Sequence, residues 1–163
     1  MTNATPYEIV EVSSPYGKTI KCAKRGNILI SITKITMFGL GRIQFPKQAE
    51  LAQLRRERHA NQRKFSRNQE KARRLERLER LEYNYRRSQG NLKAVQDVGL
   101  NDSDEVVRQL IDHLLTIGQS VSTDGYHTSE IDALLGKLYI QSYWQILSDG
   151  RNYLATVIFI SKV

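Results

Sequence analysis

RRERHANQRKFSRNQEKARRLERLERLEYNYRR, Arg55 to Arg87, is the stretch on which the architecture turns. It holds thirteen Lys or Arg against five Asp or Glu, a local balance of +8, in a chain whose whole formal charge is also +8. The remainder, with 12 of the 25 basic and 12 of the 17 acidic residues, is electrically neutral. From Lys47 to about Ser88 the residues are mainly Ala, Leu, Glu, Gln, Lys and Arg, without Gly or Pro, a composition that favours helix throughout. Pro46 suits a first helical turn, and Gly90 with Asn91 reads as the end. Continuous, such a helix is a rod of roughly 60 Å at 1.5 Å per residue. Its weak point is HANQRKFSRN, His59 to Asn68, where Asn61, Ser66 and Asn68 lower helix propensity. We favour the continuous rod, with a helical hairpin folded back near residues 59 to 68 as the competing geometry.

Upstream, the first 45 residues read as a small antiparallel meander. EIVEV alternates, SSPYG is a turn, KTIKCAK is a second run, Gly26-Asn27 marks another turn, and ILISITKI is a β-branched third run. Gly39 and Gly41 bracket Leu40, but neither a third glycine nor a Lys-Ser/Thr pair completes a phosphate loop, so the segment reads as a bend between sheet and helix.

Downstream, Asp102 and Glu105 precede Val106, Val107, Leu110, Ile111, Leu114 and Leu115, an amphipathic helix ended by Gly118. Ser129 and Asp132 form an S-x-x-D capping box ahead of Ile131, Leu134, Leu135 and Leu138, predicting a second amphipathic helix. YWQIL, SDGRN and YLATVIFI then spell a β-hairpin turning at Asp149-Gly150. The expected fold is α+β: a small mixed or antiparallel sheet uniting the N-terminal meander (residues 1–45) with the C-terminal hairpin (within 96–163). Two amphipathic helices pack on it, and one long basic helix (46–95) projects as an insertion. At 163 residues the chain suffices for one ordinary core.

The composition restricts function. One cysteine, Cys22, permits no internal disulfide and suits a reducing compartment. No run of 18 apolar residues and no basic-then-apolar leader occurs, so the expectation is a cytoplasmic protein with no membrane span. No histidine pair has metal-ligand spacing, so neither metal nor cofactor is expected. Tyr126, His127, Thr128 and Ser129 with Arg151 form the one constellation of catalytic flavour, a minor reading as a small metal-independent ribonuclease or toxin, with His127 as general base and Arg151 as phosphate clamp.

Three uses of the basic segment compete. It could be a solvated helix with i, i+4 pairs such as Glu70–Arg74, Glu76–Arg80 and Glu82–Arg86. It could be a strut with an apolar seam, Leu75, Leu78, Leu81, Tyr85, Leu92 and Val95, covered by a second copy or by the protein's own body; this motivates a homodimer. It could bind nucleic acid, DNA or RNA, through Arg55, Arg56, Arg58, Arg63, Lys64, Arg67, Lys71, Arg73, Arg74, Arg77 and Arg80, nine of which are Arg, the better bidentate phosphate ligand. On one rod Arg56, Arg63, Lys64, Arg67, Lys71 and Arg74 form a stripe. An anionic membrane is disfavoured, because residues 55 to 71 have only Ala60 and Phe65 for an apolar face. The expected function is a non-enzymatic nucleic-acid-binding or nucleoprotein-assembly factor; the alternative is an adaptor whose rod binds an acidic protein.

Overall fold

In a computed structural model, which describes residues 7–13 and 16–163, the meander and the C-terminal strands share one sheet. The strands are β1 (Glu8–Ser13), β2 (Thr19–Arg25), β3 (Ile28–Ser31), β4 (Gly125–Ala133), β5 (Gly136–Ile146) and β6 (Asn152–Lys162), in spatial order β1-β2-β3-β6-β5-β4. Every neighbouring pair is antiparallel except β3 with β6, whose parallel register covers only Ile28↔Asn152 and Leu29↔Tyr153. Ser14 and Pro15 of the SSPYG turn lie outside the described residues.

The third apolar run stops being strand at Ser31. A single π-helical turn, Lys34–Gly39, replaces its second half and carries the chain off the sheet. The helices are α1 (Gln48–Ala60), α2 (Gln62–Arg67), α3 (Gln69–Asp97) and α4 (Asp104–Gly118). α4 follows its apolar pattern: Val106, Val107, Leu110, Ile111, Leu114 and Leu115 are buried. Its cap is Ser103, whose side chain accepts from Val106 N–H, while Asp102 pairs instead with Arg42 at 2.6 Å. Against this helix lie Ile28, Ile30, Leu138, Ile140, Trp144 and Leu154 from one face of the sheet, forming the main core. The Asp149-Gly150 turn is present: Gly150 has φ +84°, and Arg151 N–H donates to Asp149 Oδ1 at 3.1 Å, the local chemistry expected of an Asp-Gly turn.

Two expectations are corrected. The segment from Ser129 to Leu138 is not a helix but the end of β4, a turn and the start of β5, paired Ile131↔Leu138 and Asp132↔Lys137. Leu134 and Leu135, which fit a helical face in sequence, sit at the turn, 87% and 57% exposed. A short isolated helix is marginal, whereas the ladder from Gly125↔Trp144 to Ala133↔Gly136 joins β4 along its whole length. Burial along β4 alternates accordingly, with His127, Ser129 and Ile131 more covered than Tyr126, Thr128 and Glu130. The long helix is also not continuous: the chain folds back at residues 61–68, and α3 runs through Gly90 to Asp97.

β4 explains His113 as well. Sequence places it on the polar side of α4, yet it is half-buried, its Nε2 2.8 Å from Ser129 Oγ. Burial lowers its pKa, partly offset by Asp112. The folded state therefore resists a proton that the unfolded chain accepts near the ordinary imidazole value of 6.5, and stability falls as pH drops below that value. We expect the thermal midpoint to decline between about pH 7 and 5, and the His113→Gln variant to show a shallower decline in the same titration. Equal slopes would assign the acid sensitivity to other groups.

Candidate nucleic-acid interface

The fold-back begins with two asparagines. At Asn61 (φ −156°, ψ 91°) and Asn68 (φ −86°, ψ 90°) the backbone is extended. Asn61 Oδ1 accepts from Lys64 N–H at 3.0 Å and Asn68 Oδ1 from Lys71 N–H at 3.2 Å, so each caps the helix that follows. Asparagine favours such positions because its side chain replaces a missing intrahelical acceptor. α1 and α3 then lie against each other, with α2 as the tip.

What closes the hairpin is a separate apolar cluster: Leu51, Leu54, Phe65, Leu75 and Leu78, flanked by Phe45 and Ala72. Each fully buried side chain of this kind contributes about 1.5–3 kcal/mol, which a solvated single rod would forgo. Of the two covers offered for the seam, the protein's own body is the one seen: Leu75 and Leu78 face α1, Val95 enters the main core, Tyr85 stands 6.3 Å from the Phe45 ring, and Leu92 is half-buried. Gly41 (φ +67°) comes so close to α3 that a Cβ there would lie 2.7 Å from that of Leu92. Of the seam, only Leu81 remains exposed, at 43%. The protein's own chain covers the residues that suggested a second copy.

Charge is distributed in the same way. On one flank Arg55 bonds Glu79 at 3.3 Å and Glu82 at 3.2 Å, with Arg58 3.6 Å from Glu79; on the other, Arg74 grips Glu50 at 2.7 and 2.9 Å and Lys71 meets Glu57 at 2.8 Å. Hydrogen bonding from Arg74 holds the Glu50 carboxyl below its ordinary range, and bonds from Lys71 and Gln53 do the same for Glu57. Arg80 and Arg86 pair with Glu76 and Glu82 along α3.

Among the described residues, Arg56, Arg63, Lys64, Arg67, Arg73, Arg77 and Arg87 have no ion-pair partner, although Arg56 hydrogen-bonds Gln53. Of these, Arg63, Lys64 and Arg67 are exposed on α2. Arg73 and Arg77, with the i, i+4 pair member Arg80, are exposed on the face of α3 opposite Leu75 and Leu78, since steps of four and seven return to one side. The single stripe through Arg56, Arg63, Lys64, Arg67, Lys71 and Arg74 does not exist, because the chain breaks at Asn61 and Asn68 and because Lys71 and Arg74 face α1. A groove of about 930 Å³ at the tip brings Lys64, Arg67 and Lys71 together with Asn61, Asn68 and Gln69.

Sequence reading overlooked a second cationic place. Lys34, on the π turn and read as strand, and Arg87, at the end of the basic run, line a cleft with Asn84 and Thr156 at the base of α3. Their only sequence signal was that both are basic.

The catalytic constellation is dispersed. His127 pairs with Ser142 on β5, whereas Arg151 lies past Leu147 at the strand's far end and holds Asp149 at 2.6 Å. The five residue steps from Ser142 to Leu147 span about 17 Å. Among the described residues no three His, Cys, Asp or Glu gather into a metal-binding group, and no helix is long and apolar enough to cross a membrane. Burial raises the Cys22 thiol to about 11, which leaves it unreactive at neutral pH. No protein-family model and no curated protein matches the chain.

Proposed function

We propose that the protein binds nucleic acid without catalysis, using the helical hairpin as a phosphate-contacting arm on an α+β body. The observation that carries this reading is the division of charge in the hairpin. Glu50, Glu57, Glu79 and Glu82 are engaged in the cross-links between α1 and α3, so the tip and the outer face of α3 present Arg63, Lys64, Arg67, Arg73, Arg77 and Arg80 against two exposed acids, Glu70 and Glu76. A net positive field on a packed helical arm attracts a polyanion, and the arginine bias suits the two-point grip of a phosphate. The tip asparagines add little base discrimination, because both side-chain oxygens are occupied in capping; recognition is through phosphates, which position the protein without reading sequence.

Electrophoretic mobility shifts with duplex DNA, single strands and structured RNA test the proposal, together with the 260/280 absorbance ratio before and after a high-salt wash. Retarded complexes that dissolve steeply with salt are expected. A chain that purifies clean at low salt and retards none of the three probes is not a nucleic-acid binder, and an acidic protein then becomes the partner to seek.

A further inference from the structure

The cleft at the base of α3 has the makings of a site of its own. Its walls are the π turn, α3 and the edge of β6, and its volume is about 210 Å³. That edge is open because β3 pairs with β6 at only two positions before leaving the sheet. Asn91 stands in for the missing strand: its Nδ2 donates to Val157 O at 3.4 Å and Phe38 O at 3.1 Å, and its Oδ1 accepts from Phe159 N–H at 2.9 Å. One side chain thus ties all three walls together and fixes the cleft's shape.

Into this fixed space come two cations. Lys34 is half-buried, with Nζ 5.3 Å from the Phe38 ring centroid; Arg87 is half-buried, with its guanidinium 5.6 Å from the Tyr83 ring centroid. Among the described residues neither has a hydrogen-bond or ion-pair partner, and no acid lines the cleft. Burial, and then the nearby Arg87, push the Lys34 pKa down, the mark of a cation held where its charge is unfavourable. The two ring contacts offset this only in part, and like charges gathered at one recess without a carboxylate among its lining are an arrangement that concentrates at functional sites, as π-helical turns do. The other lining groups, the Asn84 amide and the Thr156 hydroxyl, can both donate hydrogen bonds.

We propose that this cleft binds a phosphate group, with Arg87 supplying a forked grip, Lys34 a point charge, and Asn84 and Thr156 further donors. A phosphate dianion offers acceptor oxygens to all of them and neutralises both cations at once. The cleft is too narrow for a duplex, so the group is presented either by a small phosphate ester or by the end of a strand. The inference does not depend on the hairpin reading, since Asn68 and Arg87 are separated by roughly 28 Å along α3.

The test follows inorganic phosphate by calorimetry and by thermal melting at matched ionic strength in chloride. For the wild type, the midpoint should rise with phosphate. Lys34→Met should raise the midpoint in phosphate-free buffer, by removing a disfavoured charge, and should lower phosphate affinity at least about tenfold. Arg87→Met should lower that affinity similarly and provides the test should Lys34→Met fold poorly. A variant with Arg63 and Arg67 changed to Glu should keep the phosphate response, which separates this site from the hairpin. In a second arm, a 5′-phosphorylated oligonucleotide preferred over its 5′-hydroxyl form, with the preference lost in Lys34→Met, assigns the group to a strand end; equal binding of the two assigns it to a small ester. No calorimetric binding at about 10 mM phosphate, or equal affinity in wild type and both methionine variants, would overturn the proposal.

Discussion

Changing Arg63, Arg67, Arg73 and Arg77 together to Glu is expected to lower affinity for duplex DNA or structured RNA by on the order of 10²–10³ at moderate salt, and to reduce the slope of log K against log salt by about 3 to 4. Each of the four is exposed and without an ion-pair partner among the described residues, so each is free to displace a counterion from a phosphate. The loss should be similar for unrelated base sequences, because phosphate contacts carry no sequence information. Folding should be little affected, since exposed substitutions of this kind usually change stability by less than about 0.5 kcal/mol each. Arg74→Glu provides the contrast. Its guanidinium is engaged by Glu50, so reversal sets two carboxylates face to face and should loosen the hairpin more than it removes a phosphate contact. Circular dichroism and filter binding on the two variants check this together: an unchanged affinity in the quadruple variant with helicity retained would move the binding surface off the hairpin.

The largest effect on stability is expected from Asn91→Leu. The residue is buried on α3, and its three hydrogen bonds satisfy Phe38 O, Val157 O and Phe159 N–H. Leucine has similar volume but leaves those groups without their partner, at about 1–3 kcal/mol for each that stays dry. A loss of roughly 3 kcal/mol or more should appear in chemical denaturation, and a fall of about 10 °C in the thermal midpoint. A loss below about 1 kcal/mol would mean that water reaches the β6 edge and replaces the amide. Because Asn91 also shapes the phosphate cleft, the variant should bind phosphate poorly even at temperatures where it remains folded.

The two predictions rest on different kinds of information. Charge segregation between residues 55 and 87, the meander, α4 and the Asp149-Gly150 turn were all legible in sequence, because each is a local matter of composition, period or turn chemistry. The α+β class and the joining of both chain ends in one sheet followed from them. Three features were not legible. Ile131, Leu134, Leu135 and Leu138 satisfy a helical period as well as the strand-turn-strand they form, and only the ladder to β5 selects between the two. Asn61 and Asn68 announced weak helix, but whether weakness becomes a fold-back depends on Leu51 and Leu54 meeting Leu75 and Leu78 across more than twenty residues. That same meeting decides which cations face α1 and which face solvent, a question the linear order of Arg and Lys cannot answer. Lys34 and Arg87 are the extreme case. They lie fifty-three positions apart and have no shared motif, and they meet because β3 ends early, the π turn leaves the sheet, and Asn91 holds α3 against the exposed edge of β6. Sequence by itself determined how much positive charge the protein carries and on which segment; tertiary packing decided where that charge points, because burying apolar side chains fixes the helix faces and the charged residues take whatever directions remain.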